Sequence, residues 1–239
     1  MNTLIAIIGL GVLCLLFEIL DFRKAIIPVT IIGLLGVLGL TVADYNAPTS
    51  YYNNMISVNN FSVTFSSLFI VLTIFLVALS HNFYENHQSK LSDFIAIKIF
   101  LLSGAVAMVS FGNLAMFFLG IEVLSISLYI LAASDRLNLK SNEAGMKYFL
   151  MGLVYGAMGS FDVSEISQMS QSAELPIWFP IGIILLSIGM LFKIAAVPFH
   201  FWAPDVYEGS PSMTTATMST LAKVVAMATF FKLLTALNA

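Results

Sequence analysis

The sequence predicts an all-α integral membrane protein, a polytopic helix bundle of about eight transmembrane segments. Three observations carry that reading. Hydrophobic residues make up 59% of the 239 positions and charged residues only 10%, against roughly 25% charged in an ordinary soluble domain. Mean hydropathy is +0.95. Apolar runs close to the ~20 residues that cross ~30 Å of hydrocarbon recur along the chain, at 3–20, 25–43, 62–80, 94–111, 113–134, 143–158, 176–198 and 212–236.

The first run, Met1–Leu20, has no basic residue ahead of it and no small-residue cleavage site, so it is an uncleaved helix and not a signal peptide. The basic pair Arg23–Lys24 follows it and sets the N-terminus outside the cytoplasm. In the second run Gly33, Gly36 and Gly39 recur every three residues, a pattern expected for close helix packing through small residues. The connection 44–61 is rich in Asn, Tyr and Ser and carries no Lys or Arg. Lys90 follows the third run, and Arg136, Lys140 and Lys147 follow the fifth, whereas 159–175 again lacks basic residues and holds Asp162, Glu165 and Glu174. This alternation places the basic loops in the cytoplasm and the others outside it. Glu18 and Lys98 fall near cytoplasmic ends of their runs and are expected to anchor at the interface. The sixth run is anomalous: its apolar part, Tyr148–Ala157, is about half of what a span requires.

Several chemistries are excluded. The ten basic residues are scattered, so no nucleic-acid patch exists. The single cysteine, Cys14, gives neither a disulfide framework nor a thiolate metal site. His81, His87 and His200 lack paired axial-ligand spacing for haem. Neither a Walker A loop, a dinucleotide fingerprint nor a hydrolase triad is present. The chain moves something and does not transform it.

What remains is a handful of charges at membrane depth, where each costs at least ~2.5–3.5 kcal/mol and by default faces a bundle interior, an ion path or a proton relay. Glu122 lies near the middle of the fifth run, with Ser125 and Tyr129 at i+3 and i+7 on its face. That face suits a proton-accepting carboxyl or a structural ion pair. Lys193 is followed by Pro198, which frees the carbonyl of Ile194. His200 returns to nearly the same face if the helix persists. A proton relay and a lysine that neutralises Glu122 are both consistent with this pattern. Lys223 and Lys232 lie nine residues apart in the last run and so on opposite faces. Lys223, deeper, is the functional candidate; Lys232 is expected to snorkel to the outer surface.

Two stretches carry a family resemblance. Leu119-Gly-Ile-Glu-Val-Leu-Ser-Ile-Ser-Leu-Tyr129 with Glu143-Ala-Gly-Met-Lys-Tyr-Phe149 resembles the fifth helix and the start of the sixth in the antiporter-like subunits of respiratory complex I. The string from Phe192 to Pro211, with its Lys-x-x-x-Val-Pro-Phe-His-x-Trp-x-Pro-Asp-Val-Tyr core, resembles their broken seventh helix and the loop after it. The resemblance implies three N-terminal helices (1–93) followed by one five-helix antiporter-like repeat (94–239) of a larger, roughly fourteen-helix protein. The chain looks truncated and internally shortened against it, with the second repeat missing and about a dozen residues lost in the sixth helix. It implies a proton half-channel in which Glu122 senses or gates charge, Lys193 pairs with it and shuttles the proton, and Lys223 is the central lysine. Lys147 would open the sixth helix, and His200 would follow the break. It further implies membrane-subunit partners in the bacterial inner membrane. No cofactor is expected in this chain, since NADH, FMN, iron–sulfur clusters and quinone belong to the parent complex. An Mrp-type sodium/proton antiporter subunit and a non-transporting fragment with an assembly role are the alternatives.

Overall fold

A computed structural model describes residues 1–20, 25–84, 88–135, 139–143 and 178–238. The elements in chain order are α1 (Asn2–Ile19), α2 (Ile26–Ala43), β1 (Thr49–Tyr51), β2 (Ile56–Val58), α3 (Asn60–Tyr84), α4 (Gln88–Val109), α5 (Leu114–Ala132), α6 (Trp178–Ile194), α7 (Ala203–Gly209), α8 (Ser212–Ser219) and α9 (Leu221–Asn238). Seven of the eight expected segments are helical, and the sixth, 143–158, lies outside the described residues apart from its first position. The chain is a multi-pass membrane bundle: among the described residues five spans are long and apolar enough to cross a bilayer, and the shorter apolar helices α1 and α6 join them.

Burial is arranged as lipid demands. α4 is the central helix, with Ile95, Ile99, Leu102 and Met108 fully enclosed. The outer helices turn apolar side chains outward, among them Ile5 and Ile8 on α1, Ile32 on α2, Phe75 on α3 and Ile126 on α5. Hydroxyls inside the bundle bond back to the carbonyl four residues earlier, as Thr30 does to Ile26 (2.6 Å), Thr73 to Phe69 (2.8 Å) and Thr229 to Val225 (2.7 Å). With no water in hydrocarbon, this is how such groups are satisfied. Cys14 is enclosed between α1 and α2, its sulfur 3.3 Å from the Thr30 hydroxyl.

α4 and α5 cross at backbone contact. A Cβ on Gly104 would lie 2.7 Å from the Leu124 amide nitrogen, and one on Gly120 would lie 2.8 Å from that of Met108. Of the glycines in α2, Gly33 packs closely against Leu10, but Gly36 and Gly39 have nothing within 4 Å of an added Cβ. The three-residue spacing therefore overstates that interface, because steps of three drift around a 3.6-residue helix.

The polar connection 44–61 holds a structured hairpin that composition did not reveal. β1 and β2 pair antiparallel, with Thr49 opposite Val58 and Tyr51 opposite Ile56. The tip uses left-handed backbone at Tyr52, Asn53 and Asn54 (φ 55°, 50° and 64°), a region asparagine tolerates better than most residues. The hairpin docks on the α4–α5 turn: Ser57 N donates to Ser110 O (2.8 Å) and Gly112 N to Met55 O (2.9 Å). A Cβ at Gly112 would stand 2.0 Å from Asn54 O, so only glycine fits there.

One end of the bundle thus gathers the N-terminus, the end of α2, the hairpin and the α4–α5 turn; Met1, Asp44, Ile56 and Ser110 line one small cavity there. The other end gathers the residues after α5 and the α6–α8 connection. Lys140 Nζ donates to Glu208 Oε1 at 2.9 Å, and the hydrogen bond and charge of that carboxylate push the exposed Lys140 ammonium above its ordinary value. α4 starts at Gln88, six residues ahead of the expected 94; its polar first turn lies outside the apolar run. The main hydrophobic core reaches from Ile7 on α1 to Leu233 on α9.

Candidate functional site

α5 brings the first part of the site. Asn113 caps its N-terminus in extended conformation, its side chain accepting from Ala115 N (2.7 Å) and Met116 N (3.1 Å), the normal way to satisfy the first amides of a helix. The cap fixes where the helix begins and hence which face carries Glu122, Ser125 and Tyr129. Ser125 is buried, and Glu122 and Tyr129 are half-buried.

α6 brings Lys193 in its last turn, 8% exposed. Its ammonium donates to Ser125 Oγ at 2.6 Å and lies 5.9 Å from the centroid of the Tyr129 ring. Glu122 and Lys223 are both near enough to act on it electrostatically. The structure therefore brings together the three leading candidates, with a serine as the direct acceptor of the lysine's hydrogen bond.

The helix ends just beyond Lys193 in a specific way. Ala195 adopts φ 55°, Ala196 N donates back to Leu191 O (2.9 Å) and Ala195 N to Phe192 O (3.0 Å). This is a Schellman closure, with alanine at the left-handed position usually held by glycine. It stops the helix before the Pro198 ring can meet the Ile194 carbonyl. Because the helix does not persist, His200 does not return to the face of Lys193; it is exposed in the turn that leads to α7.

Lys223 lies in the first turn of α9. The expected single helix 212–236 is interrupted at Thr220 (φ −108°, ψ −82°). The Ala216 carbonyl there accepts from Thr220 N (3.1 Å), Thr220 Oγ1 (2.6 Å) and Ser219 Oγ (3.3 Å), and clustered Ser/Thr bonds of this kind bend helices. Half-buried Lys223 sits over two rings, 5.2 Å from the Trp202 centroid and 5.9 Å from that of Tyr207. These two aromatics were missed from the sequence as site residues, although both belong to the motif string that follows Lys193.

Two lysines are placed otherwise than expected. Lys98 is not an interfacial anchor. It is 2% exposed and donates to Ser80 Oγ on α3 at 2.6 Å; the early start of α4 carries it to mid-helix. Lys232 does not snorkel outward. Its ammonium turns in to cap the end of α4, donating to Val109 O (2.9 Å) and Phe111 O (2.7 Å) and lying 4.5 Å from the Phe111 ring centroid. Glu18 falls in the last turn of α1, and Lys147 lies outside the described residues. Among the described residues no group of three or more His, Cys, Asp or Glu is arranged to hold a metal ion.

Residues 112–238, more than half of the chain, match the family described as the NADH:quinone oxidoreductase/Mrp antiporter transmembrane family. The chain belongs to this family. The match covers α5 through α9, the stretch that carries Glu122, Lys193 and Lys223. The NADH-quinone oxidoreductase subunit N of Flavobacterium johnsoniae is 74% identical over 250 aligned positions, covering 100% of this chain and 54% of that protein. That of Cytophaga hutchinsonii is 42% identical, covering 98% and 53%. The chain thus spans about half the length of these relatives. The 250-position alignment against 239 residues also shows that the Flavobacterium protein carries residues this family member lacks. Among solved structures, a chain of respiratory complex I from Thermus thermophilus with bound aureothin superposes with a TM-score of 0.77 at 25% identity, covering 96% of this chain and 52% of that one. A chain of an archaeal membrane-bound sulfane sulfur reductase shares the fold, with a TM-score of 0.74 at 20% identity.

Proposed function

We propose that the chain serves in a membrane subunit of a proton-pumping NADH:quinone oxidoreductase, where Glu122, Lys193 and Lys223 carry a proton through one half-channel. The observation that supports this most is the buried Lys193 ammonium, bonded to Ser125 on the face of Glu122 and within electrostatic reach of both Glu122 and Lys223. A change in charge at Glu122 alters the field at Lys193, and a proton released there passes to Lys223, which is also within electrostatic reach. Lys147 and His200 enter this scheme through the family resemblance alone. The redox groups and quinone belong to partner subunits. The chain sits in the bacterial inner membrane with its N-terminus and hairpin on the periplasmic side, as the absence of Lys and Arg from 44–61 favours.

The test is Lys193→Ala in the assembled complex, with NADH-driven proton uptake measured per NADH oxidised. At least a tenfold loss of uptake is expected, with part of the quinone reduction retained. Unchanged proton uptake overturns the relay. The family description also names Mrp antiporters; sodium transport without NADH oxidation would move the chain to that branch.

A further inference from the structure

Four contacts meet at Trp202, which is 3% exposed. Its ring faces the Lys223 ammonium at 5.2 Å. Its indole Nε1–H donates to the Phe192 carbonyl at 3.0 Å, the backbone group immediately before Lys193. It packs on the Phe192 ring (5.4 Å, tilted) and edge-on to the Tyr207 ring (5.9 Å, 82°), the second ring facing Lys223. The Phe192 carbonyl already accepts from Ala195 N, so the indole bond is not needed to satisfy it. What the bond adds is a fixed orientation for the indole plane.

We propose that Trp202 and Tyr207 form a two-ring seat that positions the Lys223 ammonium and ties it to the helix end bearing Lys193. Both are positioning residues that act through Lys223, and the proposal rests on the relay reading above. A ring face attracts an ammonium through its quadrupole within about 6 Å. Unlike a carboxylate, it offers no basic site that would take the proton. The lysine is therefore held in place without being locked into an ion pair. A single rigid side chain, Trp202, spans from the Phe192 carbonyl, on the peptide that leads into Lys193, to the Lys223 ammonium, and so couples the position of one to the other.

The experiment uses the assembled complex in sealed vesicles and compares Trp202→Phe with Trp202→Leu, and Tyr207→Phe with Tyr207→Leu. The readout is protons taken up per NADH oxidised, with Lys223→Met alongside. The Tyr207 hydroxyl is buried with no hydrogen-bond partner among the described residues, so Tyr207→Phe breaks no bond and isolates the ring. The seat predicts that Tyr207→Phe, which keeps its ring and breaks no bond, lowers the ratio less than about twofold, that both leucine variants lower it about threefold or more, and that Trp202→Phe, which keeps a ring but loses the indole bond, falls between them. Leucine variants that pump as well as their phenylalanine counterparts overturn it. Normal pumping by Lys223→Met overturns the relay instead, which separates the two failures. Should the leucine variants not assemble, a map of the wild-type complex decides: Lys223 Nζ beyond about 7 Å from both ring centroids overturns the seat.

Discussion

The Lys193 ammonium donates to the Ser125 hydroxyl at 2.6 Å, one helical turn along α5 from Glu122. The same helix face carries Glu122, whose charge acts on the Lys193 ammonium. Hydrogen bonds to charged groups contribute about 1.5–3 kcal/mol. Ser125→Ala is therefore expected to leave the complex assembled and to lower proton uptake per NADH several-fold, while Ser125→Thr keeps most of it. Wild-type uptake in Ser125→Ala removes the serine from the pathway.

Lys232 offers a prediction about stability. Its two bonds to Val109 O and Phe111 O join α9 to the α4–α5 turn, and a cation is the favoured partner for carbonyls at a helix C-terminus. Lys232→Met should cost about 1.5–3 kcal/mol, seen as earlier dissociation of the complex on heating in detergent. The proton-to-NADH ratio of the intact fraction should not change.

Ser80 makes the parallel case on the other side of α4. Ser80→Ala removes an acceptor from the Lys98 ammonium, which is fully enclosed. A loss of about 1.5–3 kcal/mol is expected, read as a lower midpoint of thermal unfolding. An unchanged midpoint would show that the bond contributes nothing net.

Opposite results are expected for two glycines, one at the α4–α5 crossing and one on α2. Gly104→Val drives carbon into the Leu124 amide and the Gly120 carbonyl, backbone atoms that cannot step aside. Overpacking of this kind costs about 1–3 kcal/mol or more, and reduced assembly on native gels should follow. Gly36→Ala meets nothing within 4 Å and should stabilise α2 by about 0.5–1 kcal/mol through the lost backbone freedom of glycine.

Much of this architecture is written in one dimension. Apolar length located α1, α2, α3, α5 and α6, and charges stranded in apolar runs pointed to Glu122, Lys193 and Lys223. Depth and direction are not written there. Lys98 looked interfacial because a polar first turn, Gln88–Lys90, hid the true start of its helix. Lys232 looked like an outward-reaching end residue because its acceptors lie 121 and 123 positions earlier in the chain. The break at Thr220 depends on which carbonyl three donors share. The hairpin depends on where the α4–α5 turn presents its free backbone groups. The Lys232 and hairpin contacts are set by neighbouring elements and the Thr220 break by local side-chain bonds, and hydropathy along one strand of sequence records neither.

The enclosure of Cys14 between α1 and α2 has a practical consequence. It is the chain's only thiol, and it is 2% exposed. A cysteine placed at Asn53, on the exposed hairpin tip, would be the sole group in this polypeptide open to a membrane-impermeant maleimide. Intact cells would label it if the hairpin faces outward, and only inverted vesicles would if it faces in. The chain comes with a silent background for mapping its own orientation.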